Sequence, residues 1–255
     1  MKAGKDSLKR LEDFRGFDGQ FLNGRSWIVG IDEAGRGCLA GPVCAGAVAI
    51  SARLYSDEKN LSLLREVNDS KKLSQPAREE IFEHLQQLKL MGLIDFEAAY
   101  ASVEEIEKFN ILSATQIAME RACSALNLRN NMQLRRKGDV ATLFGESALD
   151  CSLAEILIDG IAMKKFPYVH RAVVKGDASS LAIAAASIVA KVSRDKYMAA
   201  LPSKYAHYMF SVNKGYATAA HLQSLMLYGA SDIHRPSFLK KLRAAPIEQK
   251  QRELF

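Results

Sequence analysis

A chain of 255 residues with 48% hydrophobic and 25% charged side chains lies at the globular average, which excludes collagen-like, disordered and disulfide-scaffold classes. The length suits one large domain, or one domain with an appendage, better than two full domains. Thirty-five Lys and Arg against 29 Asp and Glu leave a formal charge of +6, which suits a polyanionic partner without demanding one.

Residues 1–25 are polar and mixed in charge. They read as a lead-in without the apolar stretch of an export signal, with regular structure expected from Trp27. The run Trp27 to Ile31 is short, β-branched and bounded by turn residues, as a buried strand is. A second run, Val43 to Ile50, follows so soon that the two strands should pair antiparallel, because a parallel pair needs a crossover of a dozen or more residues. Ser74 offers an N-cap for a helix through Gln87, with Pro76 in the first turn, where its missing N–H is not needed. A short strand is expected over Ile94 to Ala98. Ser102 and Glu105 then have capping-box spacing for an amphipathic helix running toward Leu126.

Residues 127–150 lose periodicity and carry Arg129, Arg135, Arg136 and Lys137 among Asn, Gly and Ser, the pattern of a solvated surface loop. Glu155 to Asp159 and Arg171 to Val174 read as strands, and the alanine-rich stretch Ala178 to Leu201 as a helix. Thr218 caps one further helix toward Tyr228, ended by Gly229, and the basic tail from Leu239 is helical or frayed. An early meander followed by alternating strand and helix points to one α/β layer fold with a mixed sheet. The most apolar stretch, Leu181 to Ala190, falls short of the ~20 residues that a membrane span needs. Cys38, Cys44, Cys123 and Cys151 have neither metal-site spacing nor the density of a secreted scaffold, so reduced thiols and a cytoplasmic location are expected.

Several chemistries are excluded by what is missing. Gly41 to Gly46 has P-loop glycine spacing, but Ala47 and Val48 stand where Lys and Ser or Thr are required. The five histidines never approach H-x-x-x-H spacing, and no G-x-S-x-G elbow exists. What remains is a set of acids at strand ends: Asp32 and Glu33 directly ending the first strand, Asp159 ending another, and Asp177 following a third. One such Asp reads most simply as a cap or turn residue. Four of them form a pattern, because carboxylates gathered outside sheet strand ends repel unless a cation neutralises them. Oxygen ligands without His or Cys nearby favour Mg²⁺ or Mn²⁺. Two such ions about 4 Å apart are the usual clamp for in-line attack on a phosphodiester.

The segment GIDEAGRGCLAGPVCAGA also places Gly35, Arg36 and Gly37 directly after the first acids, where a backbone can approach a ligand and an Arg can reach a phosphate. Together with NDSKKL (Asn68 to Leu73), GDASSLAIAAASIVAKVSRD (Gly176 to Asp195), NILSATQIAM, LIDG, GYATAAH and IHRPSF, it resembles type 2 ribonuclease H in the same order from Trp27 to Phe238. The resemblance implies a ribonuclease H-like mixed five-stranded sheet flanked by helices, with a C-terminal helical extension. It implies a polar lead-in over 1–25, a catalytic domain over 26–205 and an extension over 206–255 that completes the substrate site. The implied activity is two-metal-ion cleavage of the RNA strand of RNA–DNA hybrids and incision at single ribonucleotides in duplex DNA, by a monomer with no membrane partner. A replication clamp as a further partner stays open.

By the same resemblance, Asp32, Glu33, Asp159 and Asp177 are metal-binding carboxylates, and Gly35, Arg36 and Gly37 sense the ribose 2′-hydroxyl. Tyr216 stacks at the RNA-to-DNA junction, with half-buried packing as its plain alternative. Lys71 and Lys72 follow a turn and are candidates for phosphate contact. Ser179 departs from the family pattern, which commonly has a basic residue there, and Ser231 and Asp232 replace a proline-rich turn. A silent hybrid-binding protein or a DNA-cutting nuclease on the same fold are the rival readings. The first predicts loss of an acid, and none is missing.

Overall fold

The computed structural model describes residues 2–138 and 154–244. Its centre is a five-stranded sheet of order β3-β2-β1-β4-β5, made of β1 (Trp27–Ala34), β2 (Val43–Ser51), β3 (Ile94–Ala101), β4 (Ala154–Asp159) and β5 (Arg171–Val173). The short link between β1 and β2 leaves only an antiparallel pairing, in register from Trp27↔Ser51 to Ala34↔Cys44. β3 continues the meander on β2, from Val43↔Ala101 to Ile50↔Ile94. β4 then enters parallel to β1 on its other side, and β5 parallel to β4. The mixed sheet and its helical flanks are those the sequence implied.

The helices are α1 (Lys2–Leu22), α2 (Glu58–Leu61), α3 (Gln75–Leu90), α4 (Val103–Asn130), α5 (Leu181–Ala199), α6 (Phe210–Asn213), α7 (Ala219–Tyr228) and α8 (Pro236–Ala244). The caps read from the sequence hold: Ser74 accepts from the Ala77 N–H, Ser102 and Glu105 form a reciprocal box, and Thr218 accepts from the His221 N–H. α4 breaks helical geometry at Asn110, whose φ of 66° and ψ of 164° lie far from helical values and divide the helix into two segments. α1, α3 and α5 bury one sheet face around Ile28, Ile50, Leu85, Leu157 and Ile188, while α4 buries the other around Val29, Ile31, Ala118, Met119 and Ile158. β2 is therefore buried along all nine of its residues. α5 lies almost directly on the sheet backbone. A Cβ at Gly30 would strike the Ala182 carbonyl group and one at Gly46 the Ala186 carbonyl, which is why the facing helix is built of alanine. Among the described residues no helix is long and apolar enough to cross a membrane.

Two segments differ from the sequence reading. Regular structure starts with α1 rather than at Trp27, because Leu11 and Phe14 are buried, Phe17, Phe21 and Leu22 pack against the core, and these positions recur at helical spacing among the charges. Asp18 of the same helix is fully buried. Its carboxylate accepts from the Tyr55 hydroxyl at 2.7 Å and from the Ala182 N–H at 3.2 Å, and burial pushes its pKa up to about 6. The expected loop over 127–150 is in part helix, since α4 continues to Asn130 and Arg129 binds Asp95 at 3.0 Å and Glu97 at 2.6 Å on β3. Arg136 and Lys137 close onto the segment before β5, through a bridge of Arg136 with Tyr168 and a bond from the Lys137 N–H to the Pro167 carbonyl at 2.6 Å. The rest of that loop lies outside the described residues, as does Cys151. Cys38, Cys44 and Cys123 are buried free thiols.

Candidate active site

Three parallel strands, β1, β4 and β5, end at one edge of the sheet. The parallel register pairs Ile31 with Ile158, so Asp32 and Asp159 stand level on neighbouring strands. Side chains alternate along a strand, and Ile28 and Leu157 face α5, so Asp32 and Asp159 point to that same face. β5 pairs Val173 with Asp159, and the chain then turns through Lys175, at φ 55°, to place Asp177 just before α5. The Gly176 N–H donates to Asp159 Oδ1 at 2.7 Å, tying the third segment to the second. Glu33 lies next to Asp32 within β1 and accepts from Arg36 at 2.9 Å. The two acids expected to end the first strand do so, on strand backbone just before its last residue, Ala34.

The electrostatics follow from this crowding. Asp32 is buried, and its pKa rises well above the usual carboxylate range because burial penalises its charge, with Glu33, Asp159 and Asp177 adding repulsion. Asp32 Oδ1 accepts from the Glu33 N–H at 2.7 Å, which offsets only part of that penalty. Asp177 is also pushed up, first by burial, then by Asp159 and Asp69, with Lys71 and Lys72 pulling the other way. Among the described residues no three acidic, His or Cys side chains converge as a closed metal cage. The fit to a cation therefore rests on donor chemistry and charge. All four groups are hard oxygen donors, and a divalent ion would relieve the repulsion that Asp32 feels. Mg²⁺ is held by few carboxylates plus substrate phosphate rather than by an all-protein cage, so an open acidic edge suits it.

The glycine loop is fixed from behind by two arginines whose role the sequence did not disclose. Arg194 of α5 is fully buried and donates to the carbonyls of Pro42 at 2.9 Å, Ala40 at 3.0 Å and Lys214 at 2.8 Å. Arg235 is equally buried and donates to the Gly41 carbonyl at 2.9 Å and the Arg36 carbonyl at 3.0 Å. Burial lowers its guanidinium to about 10, and the carbonyl dipoles compensate part of that cost. Gly35 has φ +88° and is buried against Arg194, while Arg36 and Gly37 are exposed. Tyr216 is carried to the same place by the chain after α6. The cations Lys191 and Arg194 stand 5.4 Å and 5.8 Å from its ring centre, and its hydroxyl is bonded to the Cys38 thiol. Burial drives that hydroxyl up to about 12, although the residue keeps 38% of its surface exposed. Gly35, Arg36, Gly37 and Tyr216 thus belong to one constellation beside the carboxylates.

Lys71 and Lys72 are exposed and lie close enough to Asp177 to act on its charge. Asp69, which the sequence reading quoted only within its motif, organises their turn: it accepts from the Lys71 N–H at 2.9 Å and meets Lys72 Nζ at 3.8 Å. Ser179, in place of a basic residue, turns its hydroxyl to the Lys175 carbonyl at 3.3 Å. Asp232 pairs with Lys204 at 3.2 Å and accepts from the Tyr205 hydroxyl at 2.7 Å, so the turn without prolines is held by side chains.

The family model described as Ribonuclease HII matches residues 29–241. A ribonuclease HII from Magnetococcus marinus is 42% identical over 212 residues, spanning 83% of this chain and 84% of that protein. Another from Anaplasma marginale is 37% identical over 225 residues, spanning 88% and 76%. The crystal structure of the ribonuclease H2 from Pyrococcus horikoshii superposes with a TM-score of 0.54 at 23% identity, covering 86% of this chain and 100% of that one, so the likeness extends to the fold.

Proposed function

This chain belongs to the ribonuclease HII family of metal-dependent endoribonucleases, and on that premise we propose that, besides cutting the RNA strand of RNA–DNA hybrids, it incises duplex DNA at single ribonucleotides. Asp32, Glu33, Asp159 and Asp177 hold two divalent ions, Mg²⁺ or Mn²⁺. Such ions supply Lewis acidity to the attacked phosphate and lower the pKa of a bound water. The observation that carries this reading is that Asp32 and Asp159 stand level on neighbouring strands, with Asp32 buried within reach of the charges of Glu33, Asp159 and Asp177, a repulsion that a cation would relieve.

The protein groups around the ions bind and discriminate. The 2′-hydroxyl is what separates a ribonucleotide from its DNA neighbour, so a sensor must bring backbone groups within hydrogen-bond reach of it. Gly37 and Arg36 are exposed beside the acids and able to do so, held in place by Arg235 at the Arg36 carbonyl. Tyr216 offers a partly exposed ring to the sugar or base on the DNA side of the junction, where stacking contributes about 1–3 kcal/mol. Lys71 and Lys72 meet backbone phosphate. The extension over 206–255 completes the substrate site by carrying Tyr216.

The deciding experiment compares three duplexes under the same Mg²⁺ and salt: all-DNA, RNA–DNA hybrid, and DNA with one ribonucleotide. Cleavage of the last two, none of the first, and reversible loss of turnover in EDTA are expected. Turnover that persists in EDTA refutes the metal site, and an intact single-ribonucleotide duplex refutes the junction reading.

A further inference from the structure

The backbone of Tyr216 is held by the first of two linked, buried histidines. Its carbonyl accepts from the Thr218 N–H at 2.8 Å and meets His221 Nδ1 at 2.8 Å. His221 Nε2 lies 3.0 Å from His234 Nε2, and His234 Nδ1 lies 3.0 Å from the Ser231 N–H and 2.8 Å from the Ser231 hydroxyl. His221 is fully buried and His234 nearly so, within the rings of Tyr208 and Phe210.

This geometry allows one arrangement of protons. The Ser231 N–H can only donate, so His234 Nδ1 must accept, and a neutral His234 carries its proton on Nε2. That proton is given to His221 Nε2, which is therefore bare. His221 then carries its proton on Nδ1 and donates it to the Tyr216 carbonyl, which has a second lone pair for it. Every polar atom of the pair is satisfied, and adding a proton to either ring would set two N–H groups against each other. Burial and the neighbouring imidazole hold His234 down to about 4, against the Ser231 backbone and then Asp232, which raise it, with His207 lowering it more weakly, and burial lowers His221 as well. Both rings are accordingly neutral near pH 7.

We propose that His221, locked by His234 as its Nδ1–H tautomer, is a positioning residue that sets where Tyr216 presents its ring and so governs selectivity for a ribonucleotide embedded in DNA. The proposal rests on the junction role of Tyr216 given above. The relay joins α7 to the turn before α8, whose Arg235 in turn holds the Arg36 carbonyl. The histidines thus connect the tyrosine to the same frame that carries the glycine loop.

Two measurements test it. Long-range ¹H–¹⁵N spectra of the metal-free full chain at pH 7.5 report each ring's tautomer. Nδ1–H on His221, the less common form in free histidine, with Nε2–H on His234 is expected, and Nε2–H on His221 overturns the relay. The second reads the ratio of initial rates on the single-ribonucleotide duplex and on the hybrid. His221→Asn keeps a donor at the position of Nδ1 and should hold the wild-type ratio. His221→Gln reaches His234 but loses that donor, and should lower the ratio about fivefold, the weight of one hydrogen bond, while hybrid cleavage stays within about twofold. An unchanged ratio in His221→Gln, with Tyr216→Ala still lowering it, overturns this proposal alone. An unchanged ratio in Tyr216→Ala overturns the junction role and this proposal with it.

Discussion

Two glycines in one loop should respond oppositely to the same added methyl group. Gly35 has φ +88°, and a Cβ there would overlap the Arg194 guanidinium, with Cδ at 2.5 Å and Cζ at 2.6 Å. Gly37 has nothing within 4 Å of its added Cβ. For Gly35→Ala, the left-handed backbone costs about 1–2 kcal/mol and displacing Arg194 from one of its carbonyls about 1.5–3 kcal/mol, together about 2.5–5 kcal/mol. At about 2–4 °C per kcal/mol for a chain of this size, the unfolding temperature should fall by about 5–20 °C. Gly37→Ala should move it by less than about 2 °C, because only the small conformational difference between Gly and Ala remains. Its effect should instead appear in function: an exposed methyl group where backbone meets the 2′-hydroxyl should cut turnover on both ribonucleotide-containing duplexes by about tenfold or more. Thermal unfolding by circular dichroism, paired with initial rates, separates the two. A Gly35→Ala protein as stable as wild type refutes the packing argument, and a Gly37→Ala protein of wild-type activity refutes close approach at that position.

Asp32→Asn should abolish turnover yet raise the stability of the metal-free protein. The folded pKa of Asp32 lies above its unfolded value, so its stabilising contribution is complete below the unfolded value and is lost as pH rises through the folded one. The variant's advantage in unfolding temperature should therefore grow from pH 4 to pH 8, at about 1.4 kcal/mol for each tenfold that ionisation is disfavoured, and Mg²⁺ should stabilise wild type more than the variant. A metal-free variant less stable than wild type at pH 8 contradicts this. Tyr216→Ala should depress cleavage at a lone ribonucleotide at least about fivefold more than cleavage of a long hybrid, since about 1 kcal/mol of stacking is lost only at the junction; equal losses return the residue to packing. Lys71→Ala and Lys72→Ala should each flatten the plot of log affinity against log salt by about 0.9 or less, and an unchanged slope removes that lysine from phosphate contact.

Local pattern carried much of this molecule. The caps at Ser74, Ser102 and Thr218 were readable because a cap is a bond between residues three apart. β1 and β2 were readable because a short link permits one pairing. The four acids stood out because each adjoins an apolar strand, and their residue type alone points to oxygen-loving cations. α1 escaped because its apolar stripe is diluted by charge and becomes a helix face only against α5 and the sheet. Arg194 and Arg235 look like surface residues in sequence. They are buried because carbonyls from Ala40, Gly41 and Pro42, more than 150 positions away, converge on them. Likewise Asp69 reaches the electrostatic range of Asp177, and His221 meets His234 across 13 residues, only once the sheet order and the packing of α5 to α8 are fixed. Sequence determines which groups are available and how each short segment folds. Their meeting is decided by burial: an ion or imidazole is stable inside only where distant backbone supplies its partners, and that backbone arrives with the tertiary fold.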